Sequence, residues 1–292
     1  MQNDNEITMG GQKPSGNTNH DLNKISNALN NPDITPDIMK TMLDTEFPMI
    51  TDVVDLPSKG IFYANKQSQV KVKHMTSDSD NILTSANLIK SGKVLDVLLD
   101  NAIVDKTLSS EEMLTGDRNA VLLFLRKEGF GDVYEVKMTC PECNEEFKEE
   151  VLISSLKHKE VTIHPDSDGQ FTITLPKTKW IIRFRLLTGK DEDYVSKRAE
   201  MKKKSNKGYS ELLTEKFLHQ ITSVNGKTDK LVDIERAIKN MPIGDSLFLR
   251  EYMRVVEPGV NMERQFICKE CGEPFEDTVP VTAKLFWPNA KI

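Results

Sequence analysis

Long hydrophobic runs, an excess of positive charge and abundant cysteine are all missing from this chain of 292 residues. Its longest apolar run covers residues 120–125, far short of the roughly 20 residues that span a membrane. The formal net charge of −6 argues against a general nucleic-acid-binding surface, because such surfaces are strongly basic. The first residues have neither the basic start nor the apolar stretch of a signal peptide. We therefore expect a chain made in the cytosol, where thiols stay reduced.

Catalytic motifs are missing as well. The five histidines form no His-x-x-x-His or His-Glu pair, and neither a Walker sequence nor a serine elbow occurs. Acidic clusters at residues 78–80 and 191–193 have the composition of a cation site, but acidic residues at a helix start more often cap the helix and interact with its dipole. We predict that the protein is not an enzyme.

The four cysteines form two pairs, Cys140-Pro-Glu-Cys143 and Cys268-Lys-Glu-Cys271. In a reducing compartment such pairs indicate zinc ligands before disulfides. Each pair precedes Glu, Phe and a strand-like run, which favours a zinc ribbon over the strand–Cys-x-x-Cys–helix order of a redox motif. We predict one structural Zn²⁺ per chain, held by all four thiolates in a closed tetrahedral site. The alternatives are two separate redox pairs or inert thiols.

The two pairs belong to a longer internal similarity. Residues 104–151 align with residues 232–279 at a constant offset of 128 and without a gap, and 14 of the 48 positions are identical. About three identities are expected by chance from average composition. The identical positions include Gly116 and Gly244, Asp117 and Asp245, and Arg126 and Arg254. The pattern predicts a duplicated unit in which each copy supplies half of the zinc site.

The predicted fold class is α+β, with an internally duplicated strand–helices–β-ribbon unit and a four-cysteine, zinc-ribbon-like site that joins the copies. A disordered Asn-rich arm covers residues 1–36, and residues 37–65 form an extended segment with a short helix at 37–47, which is marginal by itself or docks on a partner. The first repeat spans 66–156, a connector 157–178 and the second repeat 179–292. The Lys-rich insert 197–207 is interpreted as a solvated helix end or loop, or as a contact for nucleic acid or an acidic partner.

Hydrophobic periodicity and turn residues predict the strands and helices of the chain. Strands are predicted at 70–75, 133–139, 147–153, 161–164, 170–175 and 180–187, and helices at 80–90, 94–104, 109–114, 118–127 and 210–222. The helix at 118–127 is expected to end at Gly129. The segments 233–239 and 244–256 lead to the second cysteine pair.

A string of segments resembles a known protein family. They are LPSKGIFY (56–63), VKVKHMT (70–76), NILTSANLIKSGKVLDVLL (81–99), LTGDRNA (114–120), GFG (129–131) and the first cysteine pair. This string resembles the baseplate hub proteins of T-even-type contractile-tailed bacteriophages, described as hub subunits or hub assembly chaperones. The resemblance covers about residues 53–155 and is weaker around the second cysteine pair.

That resemblance implies a virus-encoded, non-enzymatic protein that builds the tail baseplate. Its expected partners are other phage tail and baseplate hub proteins, with no small-molecule substrate. Its expected location is the host cytoplasm during assembly and, for a retained hub part, the virion tail baseplate.

A zinc-ribbon nucleic-acid-binding regulator is the alternative function. The acidic residues around the cysteines count against it, as does the lack of basic and aromatic residues there. An enzyme that uses the acidic clusters with a cation is a third possibility, with the least support in the sequence. The acidic residues at the two pairs are Glu142, Glu145, Glu146, Glu270 and Glu273.

Overall fold

A computed structural model of the chain describes residues 48–105, 107–205, 210–227, 231–281 and 283–286. The predicted arm 1–36, the predicted helix at 37–47 and the last two residues of the Lys-rich insert lie outside the described residues. The chain divides into the units Met1–Met49 and Ile50–Ile292. The fold described below is that of the second unit.

The described residues form an α+β protein with eight α-helices and four small antiparallel sheets. In the first half, β1 pairs with β2 and β3 pairs with β4. A short 3-10 helix, Ile153–Ser155, follows the second hairpin. The elements of this half are β1 (Thr51–Asp55), β2 (Gln69–Lys73), α1 (Ser77–Leu83), α2 (Ala86–Ser91), α3 (Val94–Ala102), α4 (Thr115–Phe130), β3 (Val133–Thr139) and β4 (Glu146–Leu152).

The second half places β6 at the centre of a three-stranded antiparallel sheet, between β5 and β7, and ends with the hairpin β8–β9. A second 3-10 helix, Ala283–Phe286, follows. The elements are β5 (Gln170–Thr174), β6 (Ile181–Arg185), α5 (Gly189–Ser205), α6 (Leu212–Gln220), β7 (Ile221–Val224), α7 (Leu231–Lys239), α8 (Ile243–Val256), β8 (Glu263–Ile267) and β9 (Pro274–Thr278).

Hydrophobic alternation explains the hairpin strands. In β3 the side chains of Tyr134, Val136 and Met138 are buried, while every second residue lies nearer to solvent. This period of two is the pattern of a strand with one face on the core. The predicted strand at 133–139 is confirmed at both ends, and the predicted strand at 147–153 is confirmed with a shift of one residue.

Helix α4 lies at the centre of the packing. It buries residues around most of its circumference, and it contacts β1 and both 3-10 helices. The guanidinium of Arg126 is buried and donates to the carbonyls of Gly131, Val133 and Leu285 at 2.7, 3.0 and 2.7 Å. Helix α8 differs because it buries only one face.

Several predicted boundaries in the first half are wrong. The helix predicted at 80–90 is two helices, because Thr84 ends α1 and Ser85, in an extended conformation, begins α2. Serine is favoured at such an N-cap over a helix interior. The helix predicted at 118–127 is longer at both ends, and Gly131, with φ 85°, ends it instead of Gly129. The helix predicted at 94–104 ends earlier, at Ala102, and the strands predicted at 70–75, 170–175 and 180–187 are observed at 69–73, 170–174 and 181–185.

Residues 109–114 form turns with a single pair of bonds from the Glu112 and Met113 N–H groups to Ser109. No helix continues there, because Leu114 forms an antiparallel bridge with Thr188. Residues 161–164 form no strand. The helix predicted at 210–222 is shorter, since its last residues belong to β7, which pairs with β6.

The two halves share part of their element order, since each has an antiparallel strand pair, then helices, and then a helix, α4 or α8, that leads to a hairpin. The second half differs by the strand β7 between α6 and α7, and by its longest helix, which is α5. The loops after β1 and β5 both contain Leu-Pro and contact an aspartate at the start of α4 and α8, respectively. Asp117 at the start of α4 accepts the N–H of Ser58 at 2.9 Å. Asp245 at the start of α8 accepts the N–H groups of Lys177 and Thr178 at 2.8 and 2.9 Å. Both carboxylates are fully buried.

Candidate metal centre

Each cysteine pair lies in the turn of a hairpin, between β3 and β4 or between β8 and β9. The Cys140 N–H donates to the Glu145 carbonyl at 2.9 Å, and the Asn144 N–H donates to the Cys140 carbonyl at 3.0 Å. The second turn has the same two bonds at the positions 128 residues later, both at 3.0 Å. Such a tight turn brings both thiols of a pair to one side of the hairpin.

A left-handed residue closes each of these turns. Asn144 has φ 59° and Gly272 has φ 75°. Glycine adopts this conformation without a steric penalty, and asparagine tolerates it better than most residues. The two hairpins therefore form one turn geometry from different residues at the same position.

The two turns meet, and all four sulfur atoms lie within 4.8 Å of one another. Cys140 Sγ lies 3.7 Å from Cys271 Sγ, and Cys143 Sγ lies 3.6 Å from Cys268 Sγ. Zn–S bonds of about 2.3 Å in a tetrahedron place neighbouring sulfurs about 3.8 Å apart. The four predicted residues are thus brought together at distances that fit a tetrahedral thiolate site, and they could bind a metal ion.

Burial divides the four cysteines in the same way in each pair. Cys140 and Cys268 are buried, whereas Cys143 and Cys271 are exposed. Backbone N–H groups of Cys271 and Glu270 lower the pKa of Cys268 to about 7, against the effect of desolvation. The thiol of Cys268 is therefore more acidic than that of its neighbour Cys143.

The neighbouring sulfurs raise the pKa of Cys143. The N–H of Glu145 lowers the pKa of this thiol, but desolvation and the sulfurs of the other three cysteines raise it by more, to about 12. Four thiolates this close repel one another unless a cation lies between them. A bound metal ion would remove this repulsion and release protons as it binds.

Contacts between the hairpins support the site from outside. The rings of Phe147 and Phe275 meet edge to face with centroids 6.1 Å apart. The Lys269 ammonium donates to the Lys148 carbonyl at 2.5 Å and lies 2.9 Å from the Glu149 carboxylate. The hairpin lysines are thus partly neutralised by acidic neighbours.

The acidic cluster at 191–193 caps a helix. Asp191 accepts the N–H of Thr188 at 2.9 Å and pairs with the Arg185 guanidinium and with His219. Burial raises its pKa, but the bonds from Arg185 and Thr188 lower it more, so that the carboxyl has a pKa well below its usual value. Asp78 and Asp80 lie in the first turn of α1.

The Lys-rich insert 197–207 continues helix α5 as far as Ser205. Within it, Lys202 and Arg198 form ion pairs with the buried carboxylate of Glu215 at 2.5 and 3.3 Å. Part of this positive charge is therefore used to fix α5 against α6. The prediction of a helix end is confirmed for the described residues.

A second group with metal-ligating atoms consists of Asp52, His74 and Glu128, whose ligand atoms also lie within 4.8 Å of one another. His74 Nε2 lies 2.6 Å from Asp52 Oδ2, so these two residues already form an ion pair or hydrogen bond. Sequence reasoning did not find this group, because residues 52, 74 and 128 share no short spacing. The cluster is partly exposed and has the composition of an ordinary surface ion pair.

These features define an α+β protein in which two Cys-x-x-Cys hairpins, one from each half, build a site that could bind a metal. The family model described as T4 bacteriophage base plate protein matches residues 48–282, and the chain belongs to this family. The match extends through both hairpins, beyond the residues 53–155 on which the resemblance mainly depended. Among curated proteins and solved structures no match was found. No helix in the described part of the chain is both long and apolar enough to cross a membrane.

Proposed function

We propose that this chain is a non-enzymatic structural or assembly protein of the baseplate hub of a contractile phage tail, with one structural zinc ion. Family membership over residues 48–282 supports the baseplate role. The observation that carries the metal assignment is the meeting of four cysteine sulfurs at tetrahedral distances. Zinc is the metal that four thiolates in this geometry most commonly bind in proteins.

The zinc ion acts as a clasp between the two halves. Each half supplies two ligands, and Cys143 and Cys268 are 125 residues apart. Four protein ligands leave no open position for a substrate, which favours a structural role. Because the sulfurs do not converge in an unfolded chain, the free energy of metal binding becomes free energy of folding.

We also propose that the two halves are copies of one unit. Matching turn bonds around the cysteines, and the same buried aspartate contact with the Leu-Pro loops, support this. The pairings β1–β2 and β5–β6 favour units that begin at Thr51 and Gln170, somewhat earlier than the boundaries at 66 and 179.

The partners in this proposal are other hub proteins of the same baseplate. The chain acts in the host cytoplasm during assembly and, if retained, in the virion tail. No described feature favours the nucleic-acid-binding alternative, since lysines on the hairpins pair with carboxylates such as Glu135 and Glu149.

Metal analysis tests the zinc assignment. Protein purified without chelator is expected to contain one zinc per chain, and Cys271→Ser is expected to lower that content strongly. Thr139→Ser, next to the first pair and outside the ligand set, is the matched control and should keep the metal. A wild-type protein without zinc and with four freely titrating thiols would refute the assignment.

Particle fractionation tests the hub role. Presence at fixed stoichiometry in finished tails identifies a structural component, and presence only in unfinished baseplate intermediates identifies an assembly factor. Absence from both fractions would contradict the proposal. A salt-dependent gel shift at physiological ionic strength would instead support the nucleic-acid-binding alternative.

A further inference from the structure

The segment 258–260, which follows α8, lies against the first turn of α4. The proposed duplication predicts a matching contact of the segment after α4 with the first turn of α8, and the described residues do not make it. A Cβ atom added at Gly116 would lie 2.8 Å from Gly259 Cα and closer still to the carbonyl oxygen of Pro258. The N–H of Lys159 donates to the Gly259 carbonyl, and the N–H of Asn261 donates to the Lys157 carbonyl, so the segment is held in place. Because a side chain at position 116 would clash with this fixed backbone, glycine is required there.

The corresponding position on α8 is open. Gly244 lies 128 residues after Gly116, and an added Cβ there would meet nothing within 4 Å. Around it Ile243, Leu247 and Phe248 are exposed by 78%, 52% and 40%. We call these four residues the α8 face. Glycine is less favourable than alanine in a helix, and among the described residues none covers this glycine to offset that cost.

The segment corresponding to 258–260 is also exposed. It is residues 130–132, at the C-terminal end of α4, where the ring of Phe130 lies edge to face with that of Phe286, with centroids 6.2 Å apart. Three apolar side chains at this end are nevertheless exposed: Phe130 (46%), Val133 (47%) and Leu152 (50%). Val133 and Leu152 lie directly opposite each other at the base of the β3–β4 hairpin. We call Phe130, Val133 and Leu152 the hairpin-base patch.

We propose that the α8 face is a docking surface for the hairpin-base patch of a second copy of this chain. This contact would repeat between molecules the one that residues 258–260 make on α4 within the molecule. The inference rests on the proposed duplication, because the duplication identifies the two uncovered surfaces as the missing halves of one contact. Each chain carries both halves, which identifies a second copy as the occupant.

The geometry of this contact is head to tail. Two different surfaces meet, so a pair of chains joined by one contact keeps one free face and one free patch. Such a contact adds further copies until a ring closes. Apolar side chains on both surfaces, with a glycine that admits a close backbone approach, supply the burial that drives association.

Self-association of the full chain tests the proposal. Wild-type protein in sedimentation velocity is expected to associate at concentrations up to about 100 µM, where contacts of micromolar affinity are readily seen. Leu247→Lys on the α8 face and Leu152→Lys on the hairpin-base patch should each weaken association by about thirtyfold or more, as at interface hot spots. Met201→Lys, at a helix position 60% exposed and outside both surfaces, is the matched control and should associate like the wild type.

Mixing the two variants separates head-to-tail from symmetric contacts. Leu247→Lys keeps an intact hairpin-base patch and Leu152→Lys keeps an intact α8 face, so an equimolar mixture should form a dimer that neither variant forms alone. Gly244→Ala should also weaken association while leaving the monomer folded, because its added methyl group occupies only the space that the partner needs. Circular dichroism and zinc content show that each variant is folded.

A wild-type chain that stays monomeric throughout this range would overturn the proposal, as would association that Leu247→Lys and Gly244→Ala leave unchanged. Failure of the mixture to form a dimer would show a symmetric contact and overturn the head-to-tail arrangement. These outcomes are independent of the zinc content and of particle fractionation. A monomer with one zinc that is present in finished tails would thus contradict this inference alone.

Discussion

The paired glycines Gly116 and Gly244 offer the sharpest test of the described packing. We expect Gly116→Ala to destabilise the protein and Gly244→Ala to stabilise it slightly. The residue type, the helical position and the substitution are the same. The two sites differ in what covers them: backbone atoms of Pro258 and Gly259 at the first, and no atom of the described residues within 4 Å at the second.

The expected magnitude at Gly116 follows from the crowding. Backbone atoms cannot turn away as a flexible side chain does, so the segment 258–260 must shift. Such overpacking costs about 1–3 kcal/mol, and loss of the 2.8 Å bond from Lys159 N–H to the Gly259 carbonyl costs about 1 kcal/mol more. The gain from replacing a helical glycine, about 1 kcal/mol, offsets part of this. We expect Gly116→Ala to lower the free energy of unfolding by about 1–3 kcal/mol.

At Gly244 only the gain from replacing a helical glycine by alanine applies. Alanine there should raise the free energy of unfolding by about 0.5–1 kcal/mol. Urea denaturation of zinc-loaded protein, in dilute solution where copies do not associate, measures both values. Equal changes of the same sign at the two sites would refute the packing of residues 258–260 on α4 and the open state of the α8 face.

Three further predictions concern the core, the pH dependence and the metal. Tyr63→Phe removes the hydroxyl that donates to the buried carboxylate of Asp117 (2.5 Å) and accepts the Leu114 N–H (3.0 Å). We therefore expect the free energy of unfolding, measured by urea denaturation, to fall by about 1–3 kcal/mol. Tyr194→Phe, at an exposed position, is the control. Asp191 has a lowered folded pKa, so its stabilisation is complete above the usual value of 3.8 and is lost as pH falls through the folded pKa. Asp191→Asn should therefore cost about 1–3 kcal/mol at pH 7 and progressively less below about pH 4. Removal of the metal by a strong chelator should lower the melting temperature by about 10 °C or more, since a few kcal/mol shift a domain of this size by that amount.

Each of these predictions has a contradicting outcome. A loss for Tyr63→Phe no larger than that for Tyr194→Phe would mean that Asp117 does not depend on the tyrosine hydroxyl. A cost for Asp191→Asn that is constant from pH 7 to pH 2 would exclude the ion pair with Arg185 as its source. An unchanged melting temperature in chelator, with zinc shown to be removed, would rule out the metal as a clasp between the halves.

Local patterns were enough to locate the hairpins and the four cysteines of the candidate metal site. The strand at 133–139 was predicted to the residue, because its alternation and its turn lie within a few residues of each other. Helix ends were less well predicted. Whether Gly129 or Gly131 ends α4 depends on which residue reaches the left-handed conformation, and the carbonyl of Gly131 is bound by Arg126 from within the fold.

Contacts between distant residues were not accessible from local patterns. The group Asp52, His74 and Glu128 assembles from β1, the residue after β2 and α4, so no spacing in the sequence predicts it. Likewise the turn at residues 109–114 is set by the bridge from Leu114 to Thr188, a residue in the other half.

The amino-acid sequence by itself determined the two cysteine pairs, their hairpins and the internal similarity, because each depends on neighbouring residues or on a constant offset. Only the tertiary structure decided which of two identical glycines is covered. Gly116 and Gly244 are equivalent in the sequence, yet residues 258–260 lie on one and leave the other open. The physical reason is that burial is a property of what packs from elsewhere in the chain.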